Sequence, residues 1–339
     1  MSADILEKRL QAEAERQGVS VAEVHRRMLA LGLDAAKERR NREAKARTTS
    51  VDILLVTATT TEHRELRDAA RAMGLLFDKR QGRLGTYYHL GQVGNDRVAS
   101  IQVKMGAFGS EGSAARCIQA RAETQATTLI LLGTAFGVNR TQQRIGDVLV
   151  SESVFLYDDR HAVDASETGR IGSTLEAFGE YVDTATSDKW TLVRRVRAFL
   201  GPGYVLNFPS ARRQASLTWV ERFRRTADEF ARMGEPERVI VGTLLSGGAR
   251  IESARFRDDL IANIPAMEPQ VVGGEMEAVG AVSAATNDDI DEPGWIVVKG
   301  ISDFADTPSR AKIEESRNGA ARSAARVVLR TLQSLNRPT

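Results

Sequence analysis

VDILLVTATTTEHREL, residues 51–66, is the stretch on which the fold turns. VDILLV is an apolar run rich in branched side chains, suited to a strand covered on both faces. TATTTEHREL then breaks to small hydroxyl residues and opens a helix expected over residues 62–73. The same alternation recurs downstream. Strands are expected at 97–103, 128–132, 147–154, 239–245 and 295–301. Helical patterns fall at 113–123, 189–200, 216–233, 254–264 and 278–286, and a last helix at 310–335. Strands alternating with helices predict an α/β domain with a central, largely covered sheet. Residues 158–238 fit this alternation less well and read as a divergent insertion, with charged helices and a Gly-Pro-Gly turn at 201–203.

Upstream the pattern differs. Residues 1–49 read as a small module of two helices. Leu6, Leu10 and Ala14 share one face, and Gly18 stands where a C-terminal cap needs positive φ. Ser20 and Glu23 have capping-box spacing, with Val19 and Val24 placed as a hydrophobic staple. Val21, Val24, Met28 and Leu31 continue the apolar stripe. So little surface cannot hold two helices folded alone. The module must pack on the main domain, on another copy or on a partner, and the long charged linker that follows favours pairing between copies. Between Lys37 and Arg47 six basic side chains face two acidic ones. A solvated helix face accounts for this run more simply than nucleic-acid contact. The helices resemble half of a ribbon-helix-helix module, but no strand precedes them, so DNA binding is disfavoured.

Composition narrows the class. Of 339 residues, 42% are hydrophobic and 27% charged, as in a globular protein with a full core. No apolar run is long enough for a transmembrane helix, and the charged N-terminus lacks a secretory signal's apolar segment. The single cysteine, Cys117, allows no internal disulfide and no metal cluster. A reducing, cytoplasmic setting is therefore expected. A net charge of +2 excludes a chain that binds nucleic acid through overall charge.

Three segments carry the chemistry: the loop with Glu62, LILLGTAFGV around Gly133-Thr134-Ala135, and the pair GGEMEAVG (273–280) and VVKGISDFAD (297–306). In this order they resemble the nucleoside phosphorylase superfamily, most of all its hydrolytic branch, the methylthioadenosine/S-adenosylhomocysteine nucleosidases. Glu275-Met276-Glu277-Ala278 and Ile301-Ser302-Asp303 are the most specific part. The resemblance covers about residues 51–157 and 239–335, and implies a phosphorylase-type central mixed sheet flanked by helices in a catalytic domain of residues 50–337.

It also implies a homo-oligomer, no metal or organic cofactor, and roles for single residues. A purine N-glycosidic bond breaks through an oxocarbenium-like transition state, with positive charge on the sugar and negative charge on the base. Asp303 would protonate the base at N7, held protonated by burial and oriented by Ser302. Glu277 would bind the ribose 2′- and 3′-hydroxyls, with Met276 beneath the sugar. Glu62 would take a proton from the attacking water. Thr134 falls near the water or phosphate site, and Ile251 where the family contacts the purine. Glu275 is the less suited of the two glutamates. Taken singly, Glu62 also reads as an ordinary first-turn glutamate, Glu277 as a helix-start glutamate and Asp303 as a cap. The glycines at 106, 109 and 112 can present backbone N–H groups to a ligand or simply allow close packing.

Departures from the family pattern bear on substrate. The phosphorylases place arginines in the first loop and ahead of the central glycine, whereas this chain has residues 58–62 without arginine and Leu131-Leu132 before Gly133. That favours water over phosphate. Lys299 replaces a family arginine, and Arg250 stands where an aromatic residue commonly covers the base. With Lys104, they make a phosphorylated substrate an option. The expectation is a nucleosidase acting on a purine nucleoside or nucleotide, with Glu62, Glu277 and Asp303 catalytic and Thr134, Arg250, Ile251, Met276, Lys299 and Ser302 binding substrate. A nucleosidase with an added docking module also resembles nucleotide-depleting effectors of bacterial defence. The alternatives are a phosphate-dependent purine nucleoside phosphorylase and a nucleoside-binding regulatory protein.

Overall fold

The structure is a computed structural model. It describes residues 11–12, 15–24, 27, 50–158, 161–164, 204–207, 212–262, 264, 270–285, 294–306 and 310–334. The chain forms two compact units, Met1–Ser50 and Val51–Thr339. In the first, Gly18 has φ +66°. Ser20 Oγ accepts from the Glu23 N–H at 3.2 Å, and Glu23 pairs with Arg27 one turn later at 3.0 Å. Leu6, Leu10, Met28, Leu31 and the basic run 37–47 lie outside the described residues, as does the helix expected at 189–200.

The second unit is built on a mixed sheet of ten strands. β1 (Ile53–Thr57) is buried along its whole length, because its apolar residues alternate onto two covered faces. It lies parallel between β4 (Asp96–Gln102) and β5 (Thr128–Gly137). Outside β4 runs a hairpin of β2 (Asp78–Gln81) and β3 (Thr86–Val93). The polar residues of β2 are all exposed, which suits an edge strand and hides it from a hydrophobic-pattern reading.

On the other side of β5 the sheet closes on itself. β12 (Trp295–Asp303) runs parallel to β5 and antiparallel to β6 (Val148–Leu156). β10 (Val239–Ser246) pairs with β6 and with β11 (Val271–Glu275), and β11 returns to β5. Glycine permits this closure. A Cβ on Gly273 would lie 2.5 Å from the Phe136 carbonyl oxygen, and one on Gly274 would lie 2.3 Å from the Phe136 ring. The paired glycines of GGEMEAVG are thus the crossing point of β11 over β5. A short β9 (Arg212–Gln214) adds to β6, and β7 (His161–Asp164) pairs separately with β8 (Tyr204–Asn207).

Helices cover the sheet. α1 (Thr60–Ala72) and α6 (Arg310–Ser334) pack together, and α6 also lies on β12. There Gly300 meets Ala320: a Cβ on Gly300 would stand 2.0 Å from the Ala320 carbonyl oxygen. α2 (Ser113–Thr124) packs on α5 (Ala278–Ala285), where Gly280 leaves room for Ser113 and Ala114. α3 (Leu217–Met233) buries Trp219, Phe223 and Phe230 in the main core. Burying such a side chain contributes about 1.5–3 kcal/mol. The end of the stretch expected as an insertion therefore contributes to the core. α4 (Ala254–Ala262) completes the layer. Among the described residues no helix is long and apolar enough to cross a membrane, and no cluster of metal-ligating side chains occurs.

Candidate active site

The ends of β1, β5, β11 and β12 surround a cavity of about 470 Å³. Its size lies within the roughly 300–1,000 Å³ of small-molecule sites. Glu62, Glu277 and Asp303 all line it, as do Thr134, Arg250, Ile251, Met276 and Ser302. Lys299 does not.

Glu62 is placed by the first turn of α1. Thr59 is the N-cap and its hydroxyl accepts from the Glu62 N–H, while the Glu62 carboxylate reaches back to the cap. Its Oε2 accepts from the N–H groups of Ala58 (2.8 Å) and Thr59 (2.9 Å). Oε1 accepts from the N–H and hydroxyl of Thr134, at 2.8 and 3.2 Å. A carboxylate has about four acceptor positions, so all are in use. The capping role and the cavity position therefore coexist in one side chain. Gly133 is the reason the carboxylate fits at all: a Cβ there would lie 2.3 Å from Glu62 Oε1.

Glu277 is held differently. Oε1 accepts from the Gly106 N–H at 3.2 Å, and Oε2 from Lys299 Nζ at 3.0 Å. The glycine-rich turn, with φ +91° at Gly106, thus offers an N–H to this glutamate. Ser113 Oγ donates to the Glu277 carbonyl at 2.6 Å, tying α2 to the same point. Two acceptor positions on the carboxylate remain for a ligand. Burial opposes ionisation of Glu277, but the Lys299 charge and the hydrogen bonds outweigh it and lower its pKa.

Lys299 is 1% exposed, directly beneath. Burial disfavours its charge, but Glu277, Glu275 and Glu62 together more than restore it and raise its pKa. Its ammonium lies 3.6 Å from Glu275. Lys299 thus lies outside the cavity lining, with its charge engaged by Glu277 and Glu275. Glu275, the less favoured glutamate in the sequence, also reaches the cavity wall. Its carboxylate caps α5 by accepting from the N–H groups of Glu277 and Ala278. Complete burial pushes its pKa up to about 7.

Asp303 ends β12, half-buried where the strand opens into the cavity. Oδ2 accepts from the Ser302 hydroxyl at 2.9 Å and Oδ1 from the Ala305 N–H at 2.9 Å. Ala305 has φ +54°, a conformation that non-glycine residues rarely adopt outside constrained sites. Arg257 donates to the Phe304 carbonyl and supports the same turn. Ile251 and Met276 supply apolar wall. Arg250, at the rim, pairs with Glu252 at 2.8 Å and is largely exposed. Lys104 is exposed and does not line the cavity.

One lining residue has no sequence motif to announce it. Arg317, half-buried on the first turns of α6, faces the cavity with a buried Nε that has no hydrogen-bond partner. It follows Asp303 by a connection and about two turns of α6, so only the folded chain brings the two together.

No protein-family model matches the chain, and no curated protein matches it by sequence. Solved structures do. A 5′-methylthioadenosine/S-adenosylhomocysteine nucleosidase from Neisseria meningitidis, in complex with methylthio-immucillin-A, is 19% identical, covering 83% of this chain and 98% of its own, with a TM-score of 0.57. The corresponding nucleosidase from Colwellia psychrerythraea, in complex with adenine, is 18% identical over 84% and 96%, with a TM-score of 0.57. The futalosine hydrolase of Helicobacter pylori is 16% identical over 83% and 97%, also with a TM-score of 0.57. The phosphorylase-type sheet read from the EMEA and ISD motifs is thus present, and the chain has the fold of these nucleosidases.

Proposed function

We propose that this chain is a purine nucleosidase that hydrolyses the N-glycosidic bond of a nucleoside. The observation that carries this reading is the acceptor balance of one cavity. Glu277 keeps two acceptor positions, Asp303 as the acid keeps one O–H and one acceptor position, and Glu62 stands fully hydrogen-bonded beside them. In the reaction the C1′–N9 bond breaks and its electron pair passes into the purine. Asp303, entering as the acid, gives its proton to N7. Water attacks C1′ and its proton passes to Glu62. Glu277, fixed by Lys299 and Gly106, accepts from the ribose hydroxyls. The buried glutamates also favour positive charge developing on the sugar. The fold-sharing structures named as nucleosidases and hydrolase support the same chemistry.

Charge favours water over phosphate as the second reactant. With Asp303 entering protonated, Glu62, Glu252, Glu275 and Glu277 line the cavity against Arg250 and Arg317, with Lys299 beneath them. A phosphate dianion enters such a site at a cost. The same charge weighs against a 5′-phosphate on the substrate, and so against the nucleotides that a nucleotide-depleting role in defence requires. The chain acts as a homo-oligomer in the cytoplasm, with its N-terminal helices pairing between copies.

The test is a panel of adenosine, inosine, guanosine, their 5′-phosphates and S-adenosylhomocysteine, incubated with and without inorganic phosphate, with free base followed by chromatography. Base release from nucleosides without phosphate is expected. Release that depends on phosphate would establish a phosphorylase, and preference for nucleotides would reject the charge argument.

A further inference from the structure

Arg317 presents an unsolved account. A guanidinium carries five N–H donors and no acceptor. Its Nε is buried without a partner, and among the described residues the guanidinium makes no ion pair or hydrogen bond. A buried donor left unpaired is unfavourable, and such groups in a cavity wall are commonly satisfied by what enters. The backbone fixes which end of the cavity this is. Ser316, the residue before, donates its hydroxyl to the Ser302 carbonyl at 2.7 Å, and Ser302 in turn orients Asp303. Arg317 and Asp303 therefore border the same end, where the reading above places the leaving base.

We infer that Arg317 is the specificity-determining donor for the base, and that it selects a 6-oxopurine nucleoside over a 6-aminopurine nucleoside. This rests on the nucleosidase reading and deepens it. A proton donor at N7 puts Asp303 on the purine edge that also carries position 6. On that edge guanine and hypoxanthine present an oxygen acceptor, whereas adenine presents an N–H₂ donor. Facing a donor-only guanidinium, the amino group leaves both sides unpaired. The oxygen accepts one or two hydrogen bonds, and it shares the negative charge that reaches the base as C1′–N9 breaks. An anionic ligand is the rival occupant, which the carboxylate of Glu62 in the same cavity wall opposes.

The experiment compares kcat/KM for inosine, guanosine and adenosine in the full-length protein and in Arg317→Ala and Arg317→Lys. A well-placed arginine discriminates between bases by about 5- to 150-fold. Wild type should prefer the oxopurines by that order. Arg317→Ala should bring the ratio near one by slowing the oxopurines alone, and Arg317→Lys should keep part of it. Equal loss on all three substrates would assign Arg317 to general support of Asp303 and overturn the inference, as would a wild-type preference for adenosine. Calorimetric binding of free hypoxanthine and adenine separates this from failure of the nucleosidase reading. If no nucleoside is cleaved, tighter hypoxanthine binding that Arg317→Ala abolishes still supports the assignment. Equal binding of the two bases by wild type rejects it.

Discussion

At Asp303 two hydrogen bonds from the protein aim the carboxyl without filling it, and the half-open position keeps its remaining acceptors toward the cavity. Asp303→Asn keeps the shape and removes the acid. Turnover should fall by roughly 10²–10⁴-fold, with a smaller change in binding; steady-state kinetics on the best nucleoside measure it, and near-normal turnover would remove Asp303 from the mechanism. Lys299 answers a different question, because it acts through Glu277. Lys299→Met leaves Glu275 and Glu277 buried without their cation, which costs about 3–5 kcal/mol of stability. Without that cation Glu275, already raised to about 7, rises further, and burial pushes Glu277 above the ordinary value of 4.5. From there up to the raised pKa the native state binds more protons than the unfolded one, so stability falls as pH rises. Urea unfolding should therefore show the deficit of the variant growing from pH 5.5 to pH 8. A deficit independent of pH would mean that lost packing, not unpaired charge, is responsible. That Lys299 lies under the floor was not legible in VVKGISD: a lysine inside an apolar strand reads equally as a ligand to substrate or as a buried counter-ion, and only the two glutamates beside it decide.

Elements owe their positions to glycines that act in opposite ways. Gly133 yields space to the Glu62 carboxylate in the cavity wall, whereas Gly300 yields space to backbone. A methyl at 133 would press on Glu62 Oε1, and φ there is +156°, so Gly133→Ala should displace the carboxylate and lower turnover at least tenfold. Gly300→Ala would drive its Cβ into the Ala320 carbonyl, separating α6 from β12. Overpacking of this kind costs about 1–3 kcal/mol, and it should appear as a lower urea midpoint. Measuring both quantities for both variants tests the division. A Gly133→Ala variant with normal turnover would show that Glu62 can be moved without consequence. The strands around these glycines were legible because their apolar runs are long: 128–132 and 295–301 lie inside β5 and β12. The edge hairpin of β2 and β3 was not, since an exposed strand of Asp, Lys, Arg and Gln has no pattern that separates it from a loop. β11 was hidden for a related reason: two of its five residues are the glycines that let it cross β5.

On the scale of the whole molecule the motif order was enough to read the catalytic fold, because EMEA and ISD occupy the ends of strands that close the sheet around the cavity. Arg317 escaped, since proximity across a strand-to-helix connection leaves no spacing to recognise. Residues 1–49 stand apart from this logic. Their helix signals are plain, with Gly18 at positive φ and Ser20 over Glu23, yet a cap says nothing about what an apolar stripe meets. At about 25 cal/mol per Å² of apolar surface, two short helices gain too little to offset the ordering of their own chain. The catalytic unit, by contrast, is tied at its very start: the Val51 N–H donates to the Thr124 carbonyl, and Asp52 pairs with Arg97 at 2.8 Å. Removing residues 1–49 leaves those ties and the whole ten-stranded sheet in place. The truncated protein should fold with an unchanged circular dichroism signature per residue of sheet, release base at a rate within a few-fold of the full chain, and show a lower oligomeric mass by light scattering. An unchanged mass would reject pairing through the helices. Loss of solubility would show instead that they cover a surface of the catalytic unit.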